Sequence, residues 1–256
     1  MKIMLLTTLF FTTFNLWAKP VVMVSYFDAF GRAPFNNSEV VARSLLARFS
    51  SATSPFEVKL CRLETKYEKA FAQIETCKKE LAEAPVMILG LGESNCELKL
   101  EVMMRNKDKT YGPDNGGVER DNTTIIPEAP AVLGMTLPLP DMYCALGSRE
   151  RRNLTVSSNA GSFVCNNMAF QMSYYYPEIS FGFVHVPAQN CRKLERRTEE
   201  STSMLERMLI AAVSKLSVDS TAARLPVSRN SIREIRSSQT DECHAEFYDR
   251  IRSFDK

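Results

Sequence analysis

Short apolar runs alternate with segments of helical periodicity along most of this chain, and this alternation limits the possible folds more than any other feature. The run over 86–91 is apolar throughout, as expected for a strand buried on both faces of a parallel sheet. A second run, over 20–26, is rich in β-branched residues. Between the two runs, Val41, Leu45 and Phe49 recur at helical spacing. This order of strand and helix indicates an α/β protein.

The same criteria predict the remaining elements. Further strands are expected over 57–60, 98–103, 153–158 and 179–185, and further helices over 67–81, 141–146 and 203–216. Ser38 is expected to cap the first helix. In the strand over 98–103, Glu101 lies on the face opposite to the leucines, where a carboxylate is solvated by default. The segment over 106–140 is irregular, and a loop of this length in a compact domain tends to carry function.

The chain begins with the pattern of a secretory signal peptide, which has one positive charge, an apolar middle and a small residue, Ala18, at its end. A membrane anchor is the competing interpretation, but the run is short for a bilayer span and is broken by threonines and Asn15. We therefore predict that residues 1–18 are removed and that the protein is periplasmic or secreted. Residues 19–218 are predicted to form one domain, and 219–256 a charged, weakly patterned extension whose only expected anchor is a disulfide through Cys243.

Seven cysteines in an exported chain imply disulfides, because oxidising compartments convert spare thiols. Bridges among six of them would leave Cys165 free; the six are Cys61, Cys77, Cys96, Cys144, Cys191 and Cys243. The odd count suits a nucleophile, although an unpaired cysteine is equally well a buried apolar residue, and sequence does not give the pairing. No metal site is expected, because the chain has no Cys-x-x-Cys motif and only two histidines.

Charge and motifs argue against nucleotide ligands. The formal net charge is +2, which gives no reason to expect nucleic-acid binding, so the predicted partner is a small molecule or a peptide. The segment from Gly90 to Gly92 resembles the start of a dinucleotide fingerprint. Asn95 stands where the last glycine of that fingerprint belongs, so a nucleotide site is not expected.

The stretch over 156–176 is the predicted catalytic centre. A β-prone run passes through a turn at 159–162 into a mostly apolar helix, which puts Cys165 in the first helical turn. The free N–H groups and the helix dipole there are expected to stabilise a thiolate and an oxyanion. His185 ends an apolar run and is the better candidate base, because His244 lies in the charged C-terminal segment. By itself, a strand histidine is more often structural than catalytic.

Several motifs occur together in the order typical of one enzyme family. They are the residues at 27–31, 36–38, 63–65, 90–92, 101–106, 113–115, 136–138, 158–166 and 182–187. With these motifs, the chain from about Val21 to Leu216 resembles pyroglutamyl-peptidase I, a family of cysteine peptidases that remove an N-terminal pyroglutamate. The segment around Cys165 is the most specific of the matches.

The resemblance implies a fold, a set of catalytic residues and a pocket. The fold would be a three-layer α/β/α sandwich with an open, twisted, mostly parallel sheet. The catalytic triad would be Glu101, Cys165 and His185, acting on a peptide substrate without cofactor or metal. The pyroglutamyl pocket would be formed by Phe27, Phe30, Thr65, Phe163 and Val164. Whether the chain forms a homo-oligomer stays open.

Three departures from the family pattern affect this prediction. Glu93 replaces the usual glutamine in the predicted pocket, and the following loop is shorter by two residues. Tyr111 replaces an arginine expected near the oxyanion, and the export signal is unusual for a cytosolic family. Two functions therefore remain. One is an exported pyroglutamyl-type cysteine peptidase, and the other is a weak or inactive relative that binds a peptide end or an envelope component.

Overall fold

A computed structural model describes residues 19–110, 112–222 and 238–252. The predicted signal peptide over 1–18, its cleavage site and Tyr111 lie outside these residues. The strands are Val21–Phe27 (β1), Glu57–Leu63 (β2), Met87–Glu93 (β3), Leu98–Glu101 (β4), Met103–Arg105 (β5), Val132–Gly134 (β6), Leu154–Ser157 (β7) and Phe181–Val186 (β8). The helices are Asn37–Arg48 (α1), Ala70–Glu80 (α2), Leu139–Cys144 (α3), Ser148–Asn153 (α4), Val164–Tyr175 (α5), Leu194–Ala222 (α6) and Ser238–Arg252 (α7).

Six strands form one sheet in the order β2-β1-β3-β8-β4-β7. Neighbouring strands are parallel except for β4 and β8, which run antiparallel. The central strands are buried along their whole length, as the continuous apolar runs predict. Strands β5 and β6 form a separate antiparallel pair. The predicted α/β class with a mostly parallel sheet is therefore confirmed.

Helices cover both faces of this sheet, which gives three layers. Along β8, Val184 and Val186 point into a core shared with α1, α3 and α6. Phe183, the residue before Val184, points into the other core, which α2 and α5 close. This alternation follows from the period of two along a strand. It also decides the face of the sheet on which each site residue lies.

Several predicted boundaries differ from the observed ones. The cap of α1 is Asn36 and not Ser38: the Asn36 side chain accepts a hydrogen bond from the Ser38 backbone N–H at 3.0 Å. The strand predicted over 98–103 ends at Glu101, and Met103 begins β5 in the second sheet. The closing helix predicted over 203–216 is longer, since α6 spans 194–222 and crosses the predicted boundary at 218.

The C-terminal segment is more firmly held than its sequence suggests. A disulfide joins Cys243 in α7 to Cys144 in α3, as expected. The disulfide is not the only anchor, however, because Phe247 is 1% exposed and its ring lies 5.4 Å from that of Tyr143. Burying one such ring contributes about 2 kcal/mol. The described part of the extension is therefore an amphipathic helix packed on the domain.

Two further disulfides join Cys61 to Cys77 and Cys96 to Cys191, and Cys165 is the free cysteine among the described residues. The predicted division into six bridged cysteines and one free thiol is present in the structure. No helix in the described ranges is both long and apolar enough to cross a bilayer.

Candidate active site

Cys165 is the second residue of α5, directly after a tight turn. Gly161 in that turn has φ 82°, a left-handed conformation that suits glycine. Phe163 caps the helix without a side-chain hydrogen bond, so the cap residue does not occupy the N–H groups of the first turn. Asn166 secures the turn, because its side chain accepts from the Arg105 N–H at 2.9 Å and donates to the Arg105 carbonyl at 2.8 Å. The thiol therefore lies at the positive end of a fixed helix.

Gly92 shows how closely the thiol and the histidine approach each other. A methyl group built on Gly92 would lie 2.9 Å from Cys165 Sγ and 3.3 Å from His185 Cδ2. The two side chains thus approach the same point, one from α5 and one from β8, where His185 pairs with Gly92. Only the absence of a side chain at Gly92 leaves room for both.

Glu101 holds His185 in a defined orientation. Its Oε1 lies 2.8 Å from His185 Nδ1, and Glu101 itself is fully buried. Because Nδ1 faces the carboxylate, Nε2 is the nitrogen left for the thiol, and it is bonded to the Cδ2 atom that lies near Gly92. Glu101 is therefore not the solvated residue that its strand pattern indicates by default. The structure brings together all three residues predicted as the triad.

The resting thiol is neutral. Burial raises the pKa of Cys165 to about 12, and the nearby carboxylates Glu101 and Glu93 raise it further, while the residue's own backbone N–H opposes this shift. The side chain as a whole is partly exposed, but its sulfur is enclosed by Gly92 and its neighbours. This differs from the expectation of a thiolate stabilised by the helix N-terminus, because burial and two negative charges outweigh the helix dipole.

Aromatic rings form a wall beside the thiol. Phe30 and Phe163, both predicted for the pocket, lie edge to face with centroids 5.0 Å apart. The Tyr67 ring also packs against Phe163, with centroids 5.6 Å apart, and its hydroxyl donates to the Ser162 carbonyl at 3.3 Å. In the sequence, Tyr67 is only the first residue of the helix predicted over 67–81, and no motif there distinguishes it. Phe30 is 40% exposed, so the wall is open to solvent.

Three other predicted pocket residues are buried in the protein. Phe27 and Val164 are buried in the core on the α5 side of the sheet. Thr65 is also buried, and its hydroxyl donates to Asp28 Oδ1 at 2.9 Å. Asn115 then fixes the loop that carries Phe30, because it accepts from the Gly31 N–H at 3.0 Å. Of these predicted pocket residues, Phe30 and Phe163 reach solvent, whereas Phe27, Thr65 and Val164 are buried.

Comparison with known proteins identifies the family. A family model described as "Pyroglutamyl peptidase" matches residues 20–223. This chain belongs to the pyroglutamyl peptidase family. Members of the family are cysteine omega-peptidases, so the protein is a cysteine-type peptidase by class.

Curated relatives and solved structures agree with this membership. The pyrrolidone-carboxylate peptidase of Streptococcus suis is 29% identical over 170 residues, which cover 65% of this chain and 77% of the relative. Pyroglutamyl peptidase I of Bacillus amyloliquefaciens superposes with a TM-score of 0.65 at 22% identity, covering 77% of this chain and 98% of its own. A variant of pyrrolidone carboxyl peptidase from Pyrococcus furiosus gives 0.63 at 23% identity, covering 77% and 99%. These structures share the fold.

Glu93, where pyroglutamyl peptidases usually have glutamine, faces away from the thiol. Gly92 faces α5, so the next residue of the strand faces α1. Its Oε2 accepts a hydrogen bond from the Asn37 N–H, the first residue of α1, at 2.7 Å. Burial raises the pKa of Glu93, and backbone hydrogen bonds from Asn37 and Gln189 partly offset that effect. At least one oxygen of the Glu93 carboxylate therefore accepts a hydrogen bond from the protein backbone.

Asp108 is a site neighbour that sequence reasoning missed. It is 2% exposed, and its Oδ2 accepts from Asn167 Nδ2, in the second turn of α5, at 2.7 Å. Its Oδ1 is buried without a hydrogen-bond partner among the described residues. Burial raises the pKa of Asp108 to about 6, although the Asn167 hydrogen bond and the charge of Arg120 oppose the shift. Its position within an irregular loop gave no periodic signal.

The described residues contain no group of three or more acidic, histidine or cysteine side chains that could hold a metal ion.

Proposed function

We propose that this protein is an exported pyroglutamyl peptidase that removes an N-terminal pyroglutamyl residue from peptides. The observation that carries the proposal is the convergence of Cys165 and His185 on Gly92, with Glu101 bonded to the far side of the imidazole. A buried carboxylate, an oriented imidazole and a thiol at a helix N-terminus form a nucleophilic triad.

Acylation begins with a proton transfer. His185 Nε2 accepts the proton of Cys165, and the thiolate attacks the carbonyl carbon of the bond after the pyroglutamyl residue. The developing oxyanion is held by N–H groups of the first turn of α5. The imidazolium, stabilised by Glu101, then donates its proton to the leaving amine, which leaves a pyroglutamyl thioester on Cys165.

Deacylation uses the same residues in reverse. His185 takes a proton from water, the resulting hydroxide attacks the thioester carbonyl, and the sulfur leaves as pyroglutamate is released. Because the pKa of Cys165 is raised at rest, the ion pair forms only when His185 is in place to accept the proton. This arrangement makes the position of the imidazole a principal determinant of rate.

The aromatic wall supports a flat, uncharged ring as the recognised group. Phe30 and Phe163 offer apolar ring faces and edges on which a flat lactam can pack. Glu93 points toward α1, so it does not present a carboxylate to the lactam. We therefore infer that ordinary pyroglutamyl specificity survives the change from glutamine at this position.

Two observations support export. The first residues have the signal pattern, and six cysteines are paired in three disulfides. Expression of the full chain with its leader should yield protein outside the cytoplasm that begins at Lys19. Cytosolic protein with an intact Met1 and seven free thiols would contradict export.

The direct assay uses the purified protein from Lys19 and a pyroglutamyl fluorogenic amide, with the prolyl and glutamyl amides as comparison substrates. We expect turnover of the pyroglutamyl amide alone. Cys165→Ser and His185→Ala should each lower kcat/KM by at least about 10³-fold. Glu101→Gln should retain more activity, because Glu101 mainly orients the base. His244→Ala is the matched control, since the second histidine lies in α7, and it should behave as the parent.

The raised pKa of Cys165 favours a second candidate, a relative that binds a peptide end without cleaving it. In that case the parent protein and Cys165→Ser would bind a pyroglutamyl peptide equally well, and neither would hydrolyse it. Turnover that depends on Cys165 would exclude this candidate.

A further inference from the structure

We propose that the Cys96–Cys191 disulfide and Glu93 together form a positioning clamp that fixes His185 for reaction with Cys165. The inference rests on the proposed function, since it concerns the base of that reaction. Neither cysteine reaches the reacting atoms, so the clamp acts through the two loops that flank His185.

The first part of the clamp joins the loop after β3 to the loop after β8. Within β3 and β8, Gly92 pairs with His185 and Glu93 with Val186. The pairing continues beyond the strands, because the Ser94 N–H donates to the Val186 carbonyl at 3.1 Å and the Ala188 N–H to the Asn95 carbonyl at 2.7 Å. The disulfide between Cys96 and Cys191 closes this run covalently. Both loops are thereby held as one unit immediately after His185.

The second part joins this unit to α1. Glu93 Oε2 accepts from the Asn37 N–H at 2.7 Å, and the backbone of Gln189 is close enough to the carboxyl to lower its pKa. The Asn37 side chain then donates to the Pro187 carbonyl at 2.7 Å, two residues after His185. Thr198 of α6 donates to Asn37 Oδ1 at 3.1 Å. Since Glu93, Asn37 and the Pro187 carbonyl are largely shielded from water, these bonds keep much of their strength.

Fixing His185 matters for the reaction because the resting thiol does not ionise by itself. A neutral thiol with a raised pKa needs the imidazole at proton-transfer distance, and a displacement of about 1 Å can cost about 10²-fold in rate. His185 lies near the end of its strand, where backbone pairing would otherwise fray. A covalent link across the two loops removes that freedom.

The other two disulfides provide matched controls within the same chain. Cys61–Cys77 joins β2 to α2, and Cys144–Cys243 joins α3 to α7. Neither pair contacts the loops after β3 or β8, so each tests the general effect of losing a disulfide on stability.

The test compares three double variants of the protein that begins at Lys19, each with one cysteine pair replaced by serine, at a temperature where circular dichroism shows all three folded. For Cys96→Ser with Cys191→Ser we expect kcat on the pyroglutamyl amide to fall at least about 10-fold with KM little changed. The rate at which iodoacetamide alkylates Cys165 should also fall near neutral pH, because the imidazole no longer accepts the proton. The two control variants should keep the parent kcat and alkylation profile.

A second measurement uses the unaltered protein, in case the variant does not fold. Dithiothreitol reduces a disulfide to two thiols and becomes a cyclic disulfide itself. Mass mapping follows the reduction of each disulfide. We expect kcat, or the alkylation rate of Cys165, to fall in step with reduction of Cys96–Cys191 and not with reduction of the other pairs. Equal losses for all three disulfides, or no loss after Cys96–Cys191 is broken, would overturn the clamp. The alkylation measurement remains valid if pyroglutamyl hydrolysis is absent, so the two proposals can fail separately.

Discussion

The chemistry of this site depends on the interacting charges of three ionisable side chains, those of Glu101, His185 and Cys165. Glu101 is buried and keeps its Oε1 on His185, while its Oε2 has no hydrogen-bond partner among the described residues. Burial, with the charge of Glu101 as a smaller contribution, raises the pKa of Cys165, and the same carboxylate faces the imidazolium that forms when the proton is transferred. The same carboxylate therefore disfavours the isolated thiolate and favours the thiolate–imidazolium pair. The nucleophile is activated only as a pair.

At the residue scale, Asp108 makes stability depend on pH. Its pKa is raised by burial to about 6 in the folded protein, so the folded state holds this proton more tightly than the unfolded state does. The stability that the protonated Asp108 carboxyl confers is fully present below its pKa in the unfolded chain. It is lost as the pH rises through its pKa of about 6 in the folded protein. Above pH 6 the cost of the buried charge is constant, at most on the order of 3 kcal/mol.

Asp108→Asn should remove this cost while keeping an oxygen for Asn167. We expect the variant to be more stable than the parent by about 1–2 kcal/mol at neutral pH, because the neutral amide removes the buried charge of Asp108. The difference should shrink toward zero as pH falls to about 4. Urea unfolding of both proteins between pH 4 and pH 8 measures it. A stability difference that does not change with pH would contradict the account.

At the element scale, the site exists because three elements meet at one end of the sheet. Strand β4 runs antiparallel to β8, which sets Glu101 beside Phe183 and brings its carboxylate to the His185 ring. The first turn of α5 comes this close to β3 because Gly92 carries no side chain. The close packing of strand and helix therefore brings nucleophile and base to the same point.

Gly92→Ala tests this approach directly. The added methyl would lie 2.9 Å from Cys165 Sγ and 3.0 Å from Phe183 Cζ, closer than non-bonded atoms can pack. We expect kcat/KM to fall by at least about 10²-fold, because thiol and imidazole must separate. Gly134→Ala is the matched control, since the nearest atom there is the Val102 carbonyl oxygen at 3.9 Å. Parent-like activity in Gly92→Ala would show that the two side chains do not meet at this point.

At the scale of the whole molecule, the sequence predicted the α/β class and most of the elements in the main sheet. It also singled out Cys165 and His185, which the structure brings to one point at Gly92, while their role as reaction partners stays a prediction. Apolar periodicity and a turn before an amphipathic helix are local signals, so sequence carries them. Resemblance supplied the pocket and the role of Glu101. The burial of Glu101 was not predictable from its strand, because it depends on the antiparallel pairing of β4 with β8.

Other features could not be predicted from sequence because they depend on contacts between distant segments. The disulfide pairing joins residues up to 99 positions apart, and no spacing rule encodes it. Asp108 entered the site through a loop without periodicity, and Tyr67, predicted at the start of a helix, lies in the turn before α2. Helix α7 was missed because its apolar face is narrow, and Phe247 is buried by packing that includes Tyr143 of α3. The predicted signal peptide stays a prediction.

The central claim is that Cys165 attacks a pyroglutamyl carbonyl, and labelling by a substrate-shaped electrophile tests it most directly. The protein from Lys19 is treated with pyroglutamyl chloromethyl ketone, with the prolyl analogue alongside, and digested for mass mapping. The account predicts one label per chain on the peptide that contains Cys165, formed much faster with the pyroglutamyl reagent and absent in Cys165→Ser. Labelling at another residue, or equal rates with the prolyl analogue, would contradict the account.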